Sequence, residues 1–173
     1  LNNDRDYLEL AKFYAEHGEM AKAVITAEEG LAKAIADHRR SATELRRFLA
    51  DHALSVGDRN RYMELQFANA TERLTLEQYK SFEQLCTPAE WQAFEPRLLS
   101  CLEAAWTDAK VSIRLHREEF DQALEALLED ERSLNTGHDS QLRRDARVLA
   151  TRYPAELLGY YLRKLGPVQA GSR

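Results

Sequence analysis

An all-α fold of antiparallel helix pairs follows from three observations on this 173-residue chain. It has only five valines and three isoleucines, too few of the β-branched side chains that strands favour. Its apolar residues recur at the three-to-four spacing of one helix face. Two of its glycines, Gly18 and Gly57, fall just after such faces, where a helix stops. With 44% hydrophobic and 31% charged residues, the chain has enough apolar material for a sizeable core, which excludes a disordered tail.

The elements can be justified in order. Asp4 and Asp6 put carboxylates at a helix start, and Tyr7, Leu10, Ala11 and Tyr14 line one face up to Gly18. A second helix carries Met20, Ala23, Ala27, Leu31 and Ala34, and the short turn between the two makes them antiparallel. The phrase returns with Leu45, Leu49, His52 or Ala53, and Val56, ending at Gly57, after which Asp58 caps a helix bearing Tyr62, Leu65 and Ala68. Gly18 and Gly57 lie 39 residues apart, near the roughly 34–47 of helix-pair repeats. Such pairs are too small to bury their apolar faces alone and must stack.

Downstream, capping boxes replace glycine as punctuation. Thr75-Leu76-Glu77-Gln78 opens a helix with Tyr79, Phe82 and Leu85. Thr87-Pro88-Ala89-Glu90 opens another, which Pro96 is expected to kink or split. Val111–His116 and Phe120–Leu128 form a pair broken near Arg117–Glu119, and Asn135–Asp139 is a loop. Helices over Leu142, Ala146 and Leu149 and from Pro154 over Leu157, Tyr161 and Leu165 close the ordered part at Gly166 and Pro167. The expected organisation is one helical-repeat domain over residues 1–167, with pairs in 1–70, degenerate pairs in 75–131 and a last pair in 139–166. Residues 168–173 read as a flexible tail. Because the chain begins at Leu1 and is helical almost at once, it reads as a piece of a longer protein.

In residues 4–35 the pattern Tyr7, Leu10, Ala11, Tyr14, Gly18, Met20, Ala23, Ala27, Gly30 and Leu31 resembles one tetratricopeptide repeat. Small side chains at Ala11 and Ala23 let the two helices approach closely. A second copy keeps Leu49, Ala50 and Gly57 but has Ala53, Tyr62 and Asn69 where the family has tyrosine and small residues. The resemblance implies an irregular tetratricopeptide-like α-solenoid with a right-handed superhelical path. It also implies a concave face on which a peptide or protein partner lies, with Arg5, Leu8, Lys12, Ala15 and Glu16 from the first repeat and Glu44, Arg47, Asp51, Leu54 and Ser55 from the second. A mixed-charge face of this kind suits a polar peptide held by charge-assisted hydrogen bonds, or is simply exposed helix surface.

A narrower likeness covers most of the chain. The succession of two repeats, the phrase at 74–86, the acidic run from Arg117 to Asp130 and the closing phrase at 151–161 is similar to the helical C-terminal region of bacterial SWIM-type zinc finger proteins. The finger's own Cys-x-Cys…Cys-x-His pattern is absent from this chain, so the likeness implies one elsewhere in the parent protein.

Charge is uneven. Net charge is −2 over residues 1–70, −8 over 71–131 and +5 over 132–173. Arg143, Arg144 and Arg147 share a helix, with Arg152, Arg163 and Lys164 close by, and are the candidate nucleic-acid contacts. The alternatives are pairing with the acidic middle and plain exposure. The carboxylates Glu118, Glu119, Asp121, Glu125, Glu129, Asp130 and Glu131 read as the wet face opposite Phe120, Ala123, Leu124, Leu127 and Leu128, not as an acid–base pair.

No catalytic motif or phosphate-cradling glycine loop is present, so the expected activity is non-catalytic and without cofactor. Cys86 and Cys101 and five scattered histidines have no zinc-site spacing; the cysteines read as small buried apolar residues in a reducing, cytoplasmic setting. No apolar run approaches the roughly 20 residues of a membrane span, so no membrane partner is expected. The reading is an interaction or scaffolding module of a cytoplasmic bacterial protein; the alternative is an accessory domain of a SWIM-type zinc finger protein acting on DNA.

Overall fold

The computed structural model describes residues 4–37, 42–129 and 140–165, without the side chains of 140, 164 and 165. The expected loop at 135–139, the acidic residues 130 and 131, the stop at 166–167 and the tail at 168–173 lie outside the described residues. Among the described residues the secondary structure is helical: α1 (Asp4–Glu16), α2 (Met20–Ala36), α3 (Thr43–Ser55), α4 (Arg59–Glu72), α5 (Leu76–Leu85), α6 (Pro88–Leu102), α7 (Thr107–His116), α8 (Phe120–Leu128), α9 (Ser140–Ala150) and α10 (Pro154–Leu165). In-sequence neighbours α1 and α2, α3 and α4, α7 and α8, and α9 and α10 pack on one another.

Three turns share one hydrogen-bonded form. Glu19, Asp58 and Glu119 each donate their N–H to a carbonyl five residues back, at Tyr14 (2.9 Å), Ala53 (2.8 Å) and Arg114 (2.9 Å). The residue before each also donates three residues back, Gly18 to Ala15, Gly57 to Leu54 and Glu118 to Leu115. These bonds satisfy carbonyls that a helix end leaves open, and they need a left-handed residue between. Gly18 (φ 76°) and Gly57 (φ 78°) supply it without a Cβ, whereas the third turn uses Glu118 at φ 60°.

Helix starts follow their capping chemistry. The Asp58 side chain accepts from the Arg61 N–H at 3.0 Å. Thr75 Oγ1 accepts from the Gln78 N–H (3.2 Å). At Thr87 the box is reciprocal, with Glu90 N–H donating to Thr87 Oγ1 (3.3 Å) and Thr87 N–H to Glu90 Oε2 (2.7 Å). α6 runs as one helix through Pro96 and does not split. Cys86 and Cys101 are both half-buried, not core residues as expected: Cys86 sits just beyond the end of α5 and Cys101 near the end of α6.

The chain divides into two compact units. The first comprises Leu1–Arg73 and Ser81–Phe94. Its core gathers Leu8, Ala11, Ala27, Leu45 and Leu49, with Tyr7, Val24, Leu31, Phe48 and Leu65 packed around them. Small residues set the approach of α1 to α2: Ala11 and Ala23 are fully buried, and at Gly30 a Cβ would lie 2.5 Å from Tyr7 Cβ. Phe67, Phe82 and Phe94 form a second apolar knot in this unit, with ring centroids 5.3–5.9 Å apart.

The second unit comprises Leu74–Lys80 and Glu95–Arg173. Val111, Ala123, Ala126, Leu127, Leu142, Ala146, Leu149, Leu157 and Tyr160 form its core, drawn from α7, α8, α9 and α10. One polar link crosses that core: Ser112 donates to the Asp145 carboxylate, which also accepts from Gln141 Nε2 at 2.8 Å. Burial pushes the Asp145 carboxyl above its ordinary range, and the two hydrogen bonds oppose that rise.

Candidate functional site

In the first unit, α1 turns Arg5, Glu9, Lys12 and Glu16 outward, and α3 turns Glu44, Arg47 and Asp51 outward. Between the two helices lies an open depression of about 400 Å³. Leu8, Ala42 and Leu45 line it and are at most 8% exposed. Arg5 and Lys12 stand at its rim with the acids Asp4, Glu9 and Glu44. Leu8 both lines this depression and packs into the core beside Leu45 and Leu49, so it is largely buried and not an exposed contact.

The charges here are not equally engaged. Glu44 accepts from Arg47 Nη1 at 3.0 Å, a pair whose side chains are each 62% exposed. Lys12 lies 3.6 Å from Glu9, a loose contact one turn apart. Arg5 makes no ion pair or hydrogen bond among the described residues. Ala42, the N-cap of α3, lies in the same depression and makes no side-chain cap hydrogen bond. The expected residues Arg5, Lys12 and Glu44 therefore come together round one feature. Arg47 touches it through Glu44, and Glu16 and Asp51 are exposed away from its lining. Ala42 and Leu45 went unremarked as site residues, since buried apolar positions carry no chemical signal of their own.

The basic residues of the second unit divide differently. Arg143, Arg144 and Arg147 are all exposed on α9, and the one acid of that helix, Asp145, is turned into the core. Arg144 donates to Gln141 Oε1 at 2.6 and 3.2 Å, a neutral acceptor. Arg152 instead lies over the Phe120 ring, 3.8 Å from its centroid. The next residue, Tyr153, donates its hydroxyl to Asp121. These two contacts tie the α9–α10 turn to the start of α8. The side chain of Lys164 lies outside the described residues.

Two buried-edge ion pairs were not anticipated from the sequence. Arg59 reaches Glu90 with Nε to Oε1 at 2.9 Å and Nη2 to Oε2 at 3.0 Å, and Nη2 also donates to the Leu85 carbonyl at 2.7 Å. The Arg59 bond, then the Thr87 N–H, hold the Glu90 carboxyl down at about 2. In the second unit Arg117 pairs with Glu95, donates to Glu119 Oε1 at 2.7 Å and donates to the Tyr79 hydroxyl at 3.2 Å, which itself donates to Glu95 Oε1 at 2.8 Å. Partners 31 and 38 residues apart leave no local sequence signature. Both sets clamp helix ends, and Glu90 is held as a carboxylate, which suits structure better than proton transfer.

Burial, the larger cause, and nearby Glu90 raise the Cys86 thiol above its usual range, which disfavours the nucleophilic thiolate. Among the described residues, no group of three or more His, Cys, Asp or Glu side chains is arranged to hold a metal ion. No helix among them is long and apolar enough to cross a membrane. Compared with known proteins, the chain matches no family model, no curated protein and no solved structure.

Proposed function

We propose that the chain is a non-catalytic, tetratricopeptide-like protein-interaction module. In this reading its helix pairs stack as an irregular right-handed solenoid, and a peptide segment of a partner lies along α1 and α3 in the first unit. One observation carries the reading: Arg5, Lys12 and Glu44 surround a depression with an apolar lining of Leu8, Ala42 and Leu45. An apolar side chain of the peptide fits that lining, and its polar neighbours meet Lys12, whose contact with Glu9 is loose, and Arg5, which makes no ion pair among the described residues.

The test is selection of a random peptide library displayed on phage against the full chain. Enriched peptides are expected to bind at least about tenfold more weakly to the Arg5→Ala, Lys12→Ala double variant, the loss expected for charge-assisted hydrogen bonds. Its melting temperature should be unchanged, since both side chains are exposed. Absence of enrichment, or peptides that bind both forms alike, would overturn the assignment.

A second reading rests on α9, which exposes Arg143, Arg144 and Arg147 while its one acid, Asp145, is buried. There the chain would be an accessory to a nucleic-acid-binding protein, of the SWIM-type zinc finger kind or another. It predicts a mobility shift with a short DNA duplex at low salt that collapses as salt rises and is lost in an Arg143→Ala, Arg144→Ala, Arg147→Ala variant. No shift at low salt removes this reading.

A further inference from the structure

α10 carries more apolar surface than its own unit covers. Leu157 and Tyr160 are buried in the core, with Tyr161 packed against it. About half a turn round the same helix, Ala155, Leu158, Gly159 and Leu162 recur at i, i+3, i+4 and i+7, a single continuous stripe. Leu158 and Leu162 are each 60% exposed. Apart from its chain neighbours and the helix's own backbone, nothing lies within 4 Å of where a Cβ on Gly159 would stand, so the stripe is a two-leucine ridge beside an open groove. Along its flank run Glu156 and Arg163, both exposed and neither in an ion pair among the described residues.

We propose that a second copy of this chain covers the stripe, with the two α10 helices antiparallel about a two-fold axis level with the 159–160 peptide. The charges choose the occupant and its direction. Glu156 and Arg163 lie equally far before and after that point, on the same side of the stripe. The two-fold axis therefore sets Glu156 of each copy beside Arg163 of the other, giving two identical ion pairs. A parallel two-fold would place the flank carrying Glu156 and Arg163 on opposite sides of the seam in the two copies, where neither pair could form. Packing agrees with charge, because Ala155, Leu158, Gly159 and Leu162 are the four positions that form a hole, and the other copy's Leu162 enters it as the knob. One helix face per copy is a small interface, so the association is weak and reversible.

Sedimentation equilibrium of the full chain, from about 10 μM to about 1 mM, tests this. The average mass should climb from 19.9 kDa towards twice that value. Glu156→Arg or Arg163→Glu alone should weaken association about tenfold, because each turns two attractions into repulsions. The double reversal should restore it to within about twofold of the parent, since it exchanges the two charges and leaves the pairing intact. Leu158→Gln with Leu162→Gln should leave a monomer with unchanged helical circular dichroism. A constant 19.9 kDa at every concentration overturns the proposal. So does association indifferent to the leucine changes, or a double reversal that fails to rescue; the charge variants decide the matter even if the glutamine variant misfolds.

Discussion

Gly30 and Glu118 show two different ways in which one side chain is constrained, by space and by backbone angle. An interior helical glycine normally gains about 1 kcal/mol of stability on replacement by alanine. At Gly30 the sign should reverse, because the new Cβ would meet Tyr7 Cβ at 2.5 Å and Cγ at 2.7 Å, with Leu45 Cδ1 at 3.3 Å. Tyr7 Cβ is fixed to its backbone, so α1 itself must move, at roughly 1–3 kcal/mol. Gly30→Ala is therefore expected to lower the melting temperature; a rise would mean that α1 yields freely. Glu118 presents the opposite case. It holds φ 60° where Gly18 and Gly57 hold the matching turns, and a side chain pays about 1 kcal/mol there. Glu118→Gly should raise stability by about that amount in urea unfolding, and no change would mean that the glutamate side chain compensates for its angle.

Helix ends depend on a few long-range polar links, and Glu90 has the most to hold. It caps α6 through Thr87 and, through Arg59, joins the first residue of α4 to the last carbonyl of α5. Its carboxyl stands at about 2 against an ordinary 4.5. The folded state therefore releases this proton more readily than the unfolded chain does. The stabilisation is fully present above about 4.5 and disappears as pH falls from there to about 2. Glu90→Gln should cost about 1–2 kcal/mol at pH 7, less than the shift alone implies because the side chain is 23% exposed. Parent and variant should converge in urea unfolding near pH 2; a gap that persists there would assign the loss to packing. The helix boundaries themselves were readable, since Gly18, Gly57, Asp58 and the Thr87 box act within a few residues. The Arg59 and Arg117 clamps were not, because their partners are set by how the helices pack.

Across the chain, helical class was legible in the scarcity of valine and isoleucine, whereas the division into two units was not. The chain crosses that boundary between Arg73 and Leu74, just after α4, and again inside α5 and α6, between Lys80 and Ser81 and between Phe94 and Glu95, and no glycine marks any of the three. It follows contacts: Phe82 and Phe94 turn to Phe67, while Tyr79 and Glu95 turn to Arg117. The candidate depression was half legible: the tetratricopeptide resemblance pointed to its charged rim and to Leu8, whereas Ala42 and Leu45 emerge only from packing. The same balance of near and far contacts bears on how the chain folds. α1 with α2, α3 with α4, α7 with α8 and α9 with α10 each need only a short turn to close, so most of the loop-closure entropy is small. Longer closures, such as Ser112 to Asp145 across 33 residues, join pairs that can already have formed. Proteins dominated by local helical contacts refold in microseconds to milliseconds. The main refolding phase of this chain, followed by far-ultraviolet circular dichroism after a urea jump, should therefore finish within about 100 ms even though its length allows intermediates. A main phase lasting seconds would mean that the distant links, not the neighbouring pairs, form the folding nucleus.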